Sequence, residues 1–306
     1  CIIALENAYV LTQPGMLSAS VSKTDVSCRG NNDGTISITS AAGGYGTYEY
    51  SIDGGTSWQT SGSYTNVAPG TYDIRIRDAA HTSCSLILYP NLVITEPLTL
   101  AMSTTGDVML DCYDDHDGMG TFYVYGGTMP YTFLVVSNTT GGTVSAPGFN
   151  SLTFYNAGTG SITVSVVDYN GCSAQVTINV NQPALLTAGS IAADQVVCFG
   201  DNPTALTQSA APSGGPGAYQ YQWQYSANAA GPFMNIAMAT SATYTPASNA
   251  TYTLYYRRMV TSGLCAPAYS NVVGILVHPL PVALLTGGET ICPGQSSILR
   301  VNLPAG

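Results

Sequence analysis

Eight cysteines and one cluster of aspartates are the residues of this chain whose types and spacing could do chemistry. The cysteines stand at positions 1, 28, 84, 112, 172, 198, 265 and 292, and their context sorts them into two kinds. Openers begin a segment: VSCRGNNDG at Cys28, LDCYDDHDG at Cys112, VVCFGDNP at Cys198 and TICPGQS at Cys292. Closers end one and lead into a short strand and a proline, as after Cys1, Cys84 and Cys172, with Cys265 the fourth. Openers recur at intervals of 84, 86 and 94 residues, and closers at 83, 88 and 93. Two independent rulers thus mark a unit near the size of an immunoglobulin-like sandwich.

The chemistry these cysteines offer is oxidative cross-linking. The spacing pairs each opener with the next closer: Cys28–Cys84, Cys112–Cys172 and Cys198–Cys265. Each bridge would close a loop of about 55 to 70 residues, worth roughly 4 kcal/mol in the chain-entropy model. Cys1 and Cys292 are left unpaired, a closer and an opener whose partners would lie in neighbouring repeats of a longer array. A rival reading makes Cys1 a lipid-bearing N-terminal cysteine, although residues 1–14 copy the closing-strand pattern. Zinc finds no CxxC pair and only three scattered histidines. Disulfides imply an oxidising, extracytoplasmic compartment.

The acidic cluster is Asp111, Asp114, Asp115 and Asp117, with Asn31, Asn32 and Asp33 as its counterpart in the preceding repeat. Calcium takes six to eight oxygens from a flexible loop, which Asp114, Asp115, Asp117 and Asp33 could supply. The competing reading is a tight Asp-Gly turn with Gly34 and Gly118, and no Glu stands where an EF-hand would place one. His116 reads as an exposed turn residue. Catalysis has little to work with: His81 and His278 sit in closing-strand and linker contexts, and no G-x-S-x-G elbow occurs. The chain therefore reads as a non-enzyme that needs no cofactor, calcium aside.

Between the cysteines the text is strands and turns. Runs such as GTISITSAAGG, GTYDIRIRDAA, SITVSVVDYNG and TYTLYYRRMV alternate with period two, broken by Gly, Asp-Gly and Pro-Gly. The prediction is an all-β chain of tandem Ig-like antiparallel β-sandwich domains arranged end to end. The expected boundaries follow the prolines: 1–14 a closing strand, 15–97, 98–183 and 184–281 three sandwiches, and 282–306 the start of a fourth. Trp223 takes the place of a core tryptophan, and Arg257 and Arg258 fall on opposite strand faces. Tyr45, Tyr48, Tyr50, Tyr219, Tyr221 and Tyr225 read as core-facing on alternate positions, with an exposed aromatic strip for sugars or partners as the other reading.

Composition narrows the partners. Charged residues are 8% of the chain, the net charge is −10, and lysine occurs once, at Lys23. Such a chain cannot neutralise a run of phosphates, which excludes nucleic acid, nor adhere to an anionic membrane. No apolar run reaches the roughly 18 residues that span a bilayer. Residues 1–14 show no basic start or small-residue cleavage site, so no signal peptide is expected there. One lysine allows at most one isopeptide staple, which leaves disulfides as the cross-links.

The opening C-x-G-x-x-D-G at Cys28, the block Y-x-Y-S-I-D-G-G-x-x-W from Tyr48 to Trp58 and the late APGTYDIRIRDA resemble the SprB repeat of Bacteroidota surface adhesins. Residues 98–183 resemble it more loosely, without the D-G-G-x-x-W block, and residues 184–281 are similar to the PKD-like or Ig-like modules that accompany such repeats. The resemblance implies a large, type IX-secreted protein of the bacterial cell surface, of the sort used in adhesion and gliding motility. The expected role is a structural stalk whose partners are neighbouring repeats of the same chain. The alternatives are a self-assembling filament of many copies and a polysaccharide-binding accessory region of a secreted hydrolase.

Overall fold

Alternating runs become strands because every second side chain can face one core while its neighbours face water. The computed structural model describes residues 13–280, 284–286, 292–294, 296 and 300–302. Cys1, nearly all of the closing strand expected over 1–14, and much of the segment 282–306 lie outside the described residues. Every regular element among the described residues is a β-strand. No helix among them is long and apolar enough to cross a membrane.

The chain divides into two compact units, residues 1–107 with 119–179, and residues 108–118 with 180–306. The first unit opens with β1 (Ser18–Thr24), β2 (Gly34–Ala42), β3 (Tyr48–Ser51), β4 (Ser63–Val67), β5 (Gly70–Asp78) and β6 (Ser85–Ile94). They form two antiparallel sheets, β1-β2-β4 and β3-β5-β6. Ile36, Ile38, Ile74, Ile76, Tyr50 and Ile94 pack into the core of this sandwich. Asp53, in the turn after β3, accepts hydrogen bonds from the Ser57 backbone and hydroxyl and from the Ser51 hydroxyl. Partial desolvation opposes its ionisation, but the Ser57 and Ser51 bonds outweigh it and hold the carboxyl at about 2.

The following stretch contributes β7 (Ala101–Thr104), β8 (Val108–Met109), β9 (Gly118–Tyr125), β10 (Thr132–Asn138), β11 (Thr143–Val144), β12 (Ser151–Ala157), β13 (Gly160–Val167) and β14 (Ser173–Asn181). One sheet runs β11-β12-β9-β7 and the other β10-β13-β14. Phe122 and Phe154 are fully buried with ring centroids 6.0 Å apart. At the end of β14, Val180 and Asn181 pair in parallel with Val108 and Met109 of β8, and these four residues belong to the second unit.

The second unit continues with β15 (Ser190–Ile191), β16 (Gln195–Cys198), β17 (Gln208–Ala210), β18 (Tyr219–Ser226), β19 (Met234–Asn235), β20 (Leu254–Ser262), β21 (Ala268–Tyr269) and β22 (Val273–His278), then β23 (Leu284–Thr286) and β24 (Arg300–Asn302). Its main sheet runs β16-β22-β20-β18-β19, with β21 on β20 and β16 parallel to β22. Trp223, Leu206, Tyr256 and Ile275 form its core, and Tyr244 stands 5.7 Å from Trp223 and 5.9 Å from Tyr256. Arg258 is buried there, and among the described residues no carboxylate pairs with it. Its guanidinium donates to Gln208 Oε1 and to the carbonyls of Ala242 and Ala188, and burial lowers its pKa.

Candidate inter-repeat cross-link site

A buried polar residue ends the inward-facing row of one long strand in each repeat. In β5 the row is Ile74, Ile76, Asp78; in β13 it runs Ile162, Val164, Val166 and on to Asp168; in β20 it is Tyr256, Arg258, Val260, Ser262. Period two therefore carries a carboxylate or hydroxyl to the rim of the core just before each closing turn. Asp168 accepts there from the backbone of Asn170 at 3.0 Å, Cys172 at 2.9 Å and Thr128 at 2.8 Å. Asp78 accepts in the same way from Tyr45, Ala80 and His81. The Tyr45 bond, then those of Ala80 and His81, hold the Asp78 carboxyl below its ordinary range against desolvation.

Glycine pairs admit these carboxylates. Gly43–Gly44, Gly126–Gly127 and Gly214–Gly215 all have positive φ. A Cβ on Gly44 would stand 2.5 Å from Asp78 Oδ2, and one on Gly127 2.7 Å from Asp168 Oδ2. Five residues after each first glycine a tyrosine hydroxyl donates back to its carbonyl: Tyr48 to Gly43 at 2.9 Å, Tyr131 to Gly126 at 2.6 Å, Tyr219 to Gly214 at 3.0 Å. The G-G-x-x-x-Y spacing at 43–48, 126–131 and 214–219 is the sequence signal that could have found this rim. The buried carboxylates gave no such signal, because an Asp before a turn reads as solvated.

The opener cysteines begin β-turns. Asn31 donates to the Cys28 carbonyl, Asp115 to that of Cys112 and Asp201 to that of Cys198. The third residue of each turn has positive φ: Gly30, Asp114, Gly200 and, after Cys292, Gly294. Linker side chains hold two of these turns, Glu96 Oε2 accepting from Gly30 N–H at 2.9 Å and Gln182 Oε1 from Asp114 N–H at 2.8 Å.

The disulfides join successive repeats. Cys28 bonds Cys172 and Cys112 bonds Cys265, with Cα atoms 5.8 and 5.4 Å apart and sequence separations of 144 and 153. Cys84 and Cys198 are free and exposed, and so is Cys292. These bonds correct the expected pairs Cys28–Cys84, Cys112–Cys172 and Cys198–Cys265. The reason lies in the last strand of each repeat. Cys84 precedes the ten residues of β6, whereas Val26, two residues before Cys28, donates to Thr95 just past its far end. At about 3.3 Å per residue those ends are roughly 30 Å apart, far beyond the reach of one disulfide. Cys172 likewise precedes β14, while Leu110 bonds Asn181 at its end, and Cys198 lies opposite His278 at the end of β22. An opener thus meets the closing turn of the next repeat instead. There Asn170 Nδ2 donates to the Ser27 carbonyl at 2.9 Å beside the Cys28–Cys172 bridge.

The acidic residues are dispersed. Asp114 and Asp115 serve the Cys112 turn through their backbones. The Asp33 carboxylate is taken by the hydroxyl and the backbone N–H of Ser27, which lower its pKa in that order. Asp117 is exposed beside His116. Among the described residues no three His, Cys, Asp or Glu side chains are grouped to hold a metal. Tyr50 is buried, Tyr48, Tyr219, Tyr221 and Tyr225 are half-buried and Tyr45 is exposed, stacked 4.0 Å from His81. Trp223 is fully buried, while Arg257 lies between Phe233 and Tyr269 on the opposite face from Arg258.

The first repeat thus carries an opener turn at Cys28, a D-G-G-x-x-W turn and a paired-glycine rim. Residues 20–57 match the SprB repeat. Residues 187–279, within the segment 184–281 that resembles PKD-like or Ig-like modules, match a domain of unknown function (DUF8696). No curated protein matches the chain. Among solved structures it is similar to the N-terminal eight Ig domains of Down syndrome cell adhesion molecule, at 16% identity and a TM-score of 0.33, covering 81% of this chain and 35% of that one. Sidekick-1 immunoglobulin domains 1–5 give 12% and 0.37, covering 88% and 60%. A three-Ig segment of titin gives 12% and 0.37, covering 87% and 99%.

Proposed function

We propose that this chain is a non-catalytic stalk of a secreted bacterial surface adhesin, in which disulfides lock each repeat to the next. The carrying observation is the pair of bridges Cys28–Cys172 and Cys112–Cys265, each tying the opener turn of one repeat to the closing turn of its successor. A bridge inside a repeat would only stabilise that repeat, whereas a bridge between repeats passes force across the junction. The SprB match at residues 20–57 and the disulfide-based build support an extracellular place for it. His81 stacks on Tyr45 and His116 and His278 are exposed, which supports a non-catalytic reading. The partners in this reading are neighbouring repeats of the same chain.

Cells of the source organism test it. Antibody against residues 15–281 labels intact cells, and Cys28→Ser with Cys112→Ser weakens attachment under flow more than attachment at rest. Labelling only after permeabilisation overturns the surface placement, and equal attachment under flow overturns the role of the bridges.

A further inference from the structure

The strands that follow the three glycine pairs hold equivalent places. Tyr48 pairs Asp78, Tyr219 pairs Ser262, and Thr132 pairs Val167, one step on from Tyr131 and Asp168. β3, β10 and β18 are therefore counterparts, with Val135 opposite Val164 where Trp223 stands opposite Arg258.

In two of the repeats the chain covers the outer edge of this strand with its own next segment. Tyr50 and Gln59 exchange backbone hydrogen bonds at 2.8 and 3.0 Å, Gln59 lying just past the D-G-G-x-x-W turn. β19 pairs with Gln224 and Tyr225 of β18, while Trp223 donates to Ala239 and accepts from Ile236. The second repeat lacks the D-G-G-x-x-W block, and the segment after β10 goes to the other sheet, where β11 pairs β12. Among the described residues no strand pairs with the outer edge of β10. Residues 139–151, which stand where the other repeats place their cover, are all described, so the edge is left bare by the repeat itself. Val135 is 38% exposed where Trp223 is fully buried, and Leu134 beside it is 61% exposed.

The edge also lacks the charges that usually blunt one. Glu49 and Arg77 form an ion pair across β3 and β5, whereas Thr132 and Val167 stand at that place in the second repeat. Residues 118–167 contain no Asp, Glu, Lys, Arg or His. Open backbone groups on such an edge take up an extended strand, and no like charge keeps a second copy from supplying it. The ladder of β10 with β13 is regular from Thr132 to Val135 and shifts only beyond it.

We propose that β10 pairs antiparallel with β10 of a second copy of this chain, about a two-fold axis at Leu134. Tyr50 and Trp223 direct their backbone groups outward, and the same alternation turns out those of their counterparts Phe133 and Val135. Phe133 of each copy then exchanges both N–H···O bonds with Val135 of the other, and the two Leu134 side chains meet on the axis. Reversal about Leu134 also sets Thr132 opposite Val136, so the edge matches itself without an opposed charge. The contact is isologous and closes at a dimer. The inference rests on the geometry of this edge and not on the adhesive role.

The full chain, its free thiols alkylated, is followed by sedimentation velocity at rising concentration. It gives a monomer–dimer equilibrium, a weak one because a single strand pair is a small contact. In concentrated protein the amides of Phe133 and Val135 exchange with deuterium about tenfold more slowly than in dilute protein, while that of Tyr50 exchanges alike in both. Leu134→Lys and Leu134→Glu each put like charges on the axis and raise the dissociation constant about tenfold. An equal mixture of the two variants restores dimers. Leu134 is exposed, so both variants keep the unfolding midpoint of the parent chain. A chain that is monomeric at every concentration, dimers indifferent to Leu134→Lys, or a mixture no better than its components overturns the proposal. Protection of Phe133 and Val135 that is equal at all concentrations puts a strand of the same chain on the edge and overturns it too. The antibody result bears on the surface role alone.

Discussion

Asp168 Oδ1 accepts the backbone N–H of Cys172 at 2.9 Å, so one half of the Cys28–Cys172 bridge hangs from a buried carboxylate. The same carboxyl takes the N–H groups of Asn170 and Thr128, which fixes the closing turn against the glycine pair. A half-buried half-cystine thus inherits the rigidity of the core through one side chain.

Asp168→Asn puts an NH₂ where one of these oxygens accepts, leaving at least one backbone donor unpaired. The expected cost is about 1–3 kcal/mol in denaturant unfolding. Dithiothreitol should also reduce Cys28–Cys172 faster in this variant, with Cys112–Cys265 in the same molecule as the internal standard. Unchanged relative reduction rates would show that the carboxylate does not position the cysteine.

The sorting of cysteines into openers and closers was legible, because Cys28, Cys112 and Cys198 begin similar turns and Cys84, Cys172 and Cys265 end similar ones. Their partners were not. A repeat length says how often a feature recurs, not at which end of a strand it sits, and β6 separates Cys28 from Cys84 by its whole length. What decides the pairing is the contact of the opener segment with the end of the last strand, a hydrogen bond at Val26–Thr95 and parallel pairing at β8–β14 and β16–β22. Parallel contacts join residues far apart in sequence and leave no local pattern. The core alternation of β5, β13 and β20 was readable from period two, yet its last members, Asp78, Asp168 and Ser262, differ in chemistry while doing related work. Asp114 stands where the other turns place Gly, so its side chain is incidental to the turn.

Glycine substitutions separate close approach from backbone conformation. Gly126 and Gly106 both have positive φ, at 72° and 96°. A Cβ on Gly126 would lie 1.9 Å from the Thr99 carbonyl oxygen, whereas one on Gly106 meets nothing within 4 Å. Gly106→Ala should cost about 1–2 kcal/mol, the left-handed penalty alone. Gly126→Ala should cost more than about 3 kcal/mol because the linker backbone must also move. Chemical denaturation of the two variants checks this, and equal losses would mean that the rim at Gly126 yields freely.

Force distinguishes the observed bridges from bridges within repeats. Pulled between residues 13 and 280, the chain carries tension along its shortest covalent path. That path runs from 13 to 28, across to 172, back to 112, across to 265 and on to 280, about 90 residues in place of about 267. At up to about 3.6 Å per residue the oxidised chain should extend to roughly 320 Å and the reduced chain to roughly 960 Å. Total length alone does not identify the pairing, since three bridges inside the repeats would shorten the chain similarly. Replacing Cys112 and Cys265 together with Ser does identify it. With Cys28–Cys172 intact the path becomes about 123 residues, roughly 440 Å. Had Cys28 been tied to Cys84 instead, the same variant would lose both of its other bridges and pay out about 211 residues, roughly 760 Å. A single-molecule extension near 440 Å is the expected result. One near 760 Å would mean that repeats are cross-linked singly, and the junctions would then hold by non-covalent contact alone.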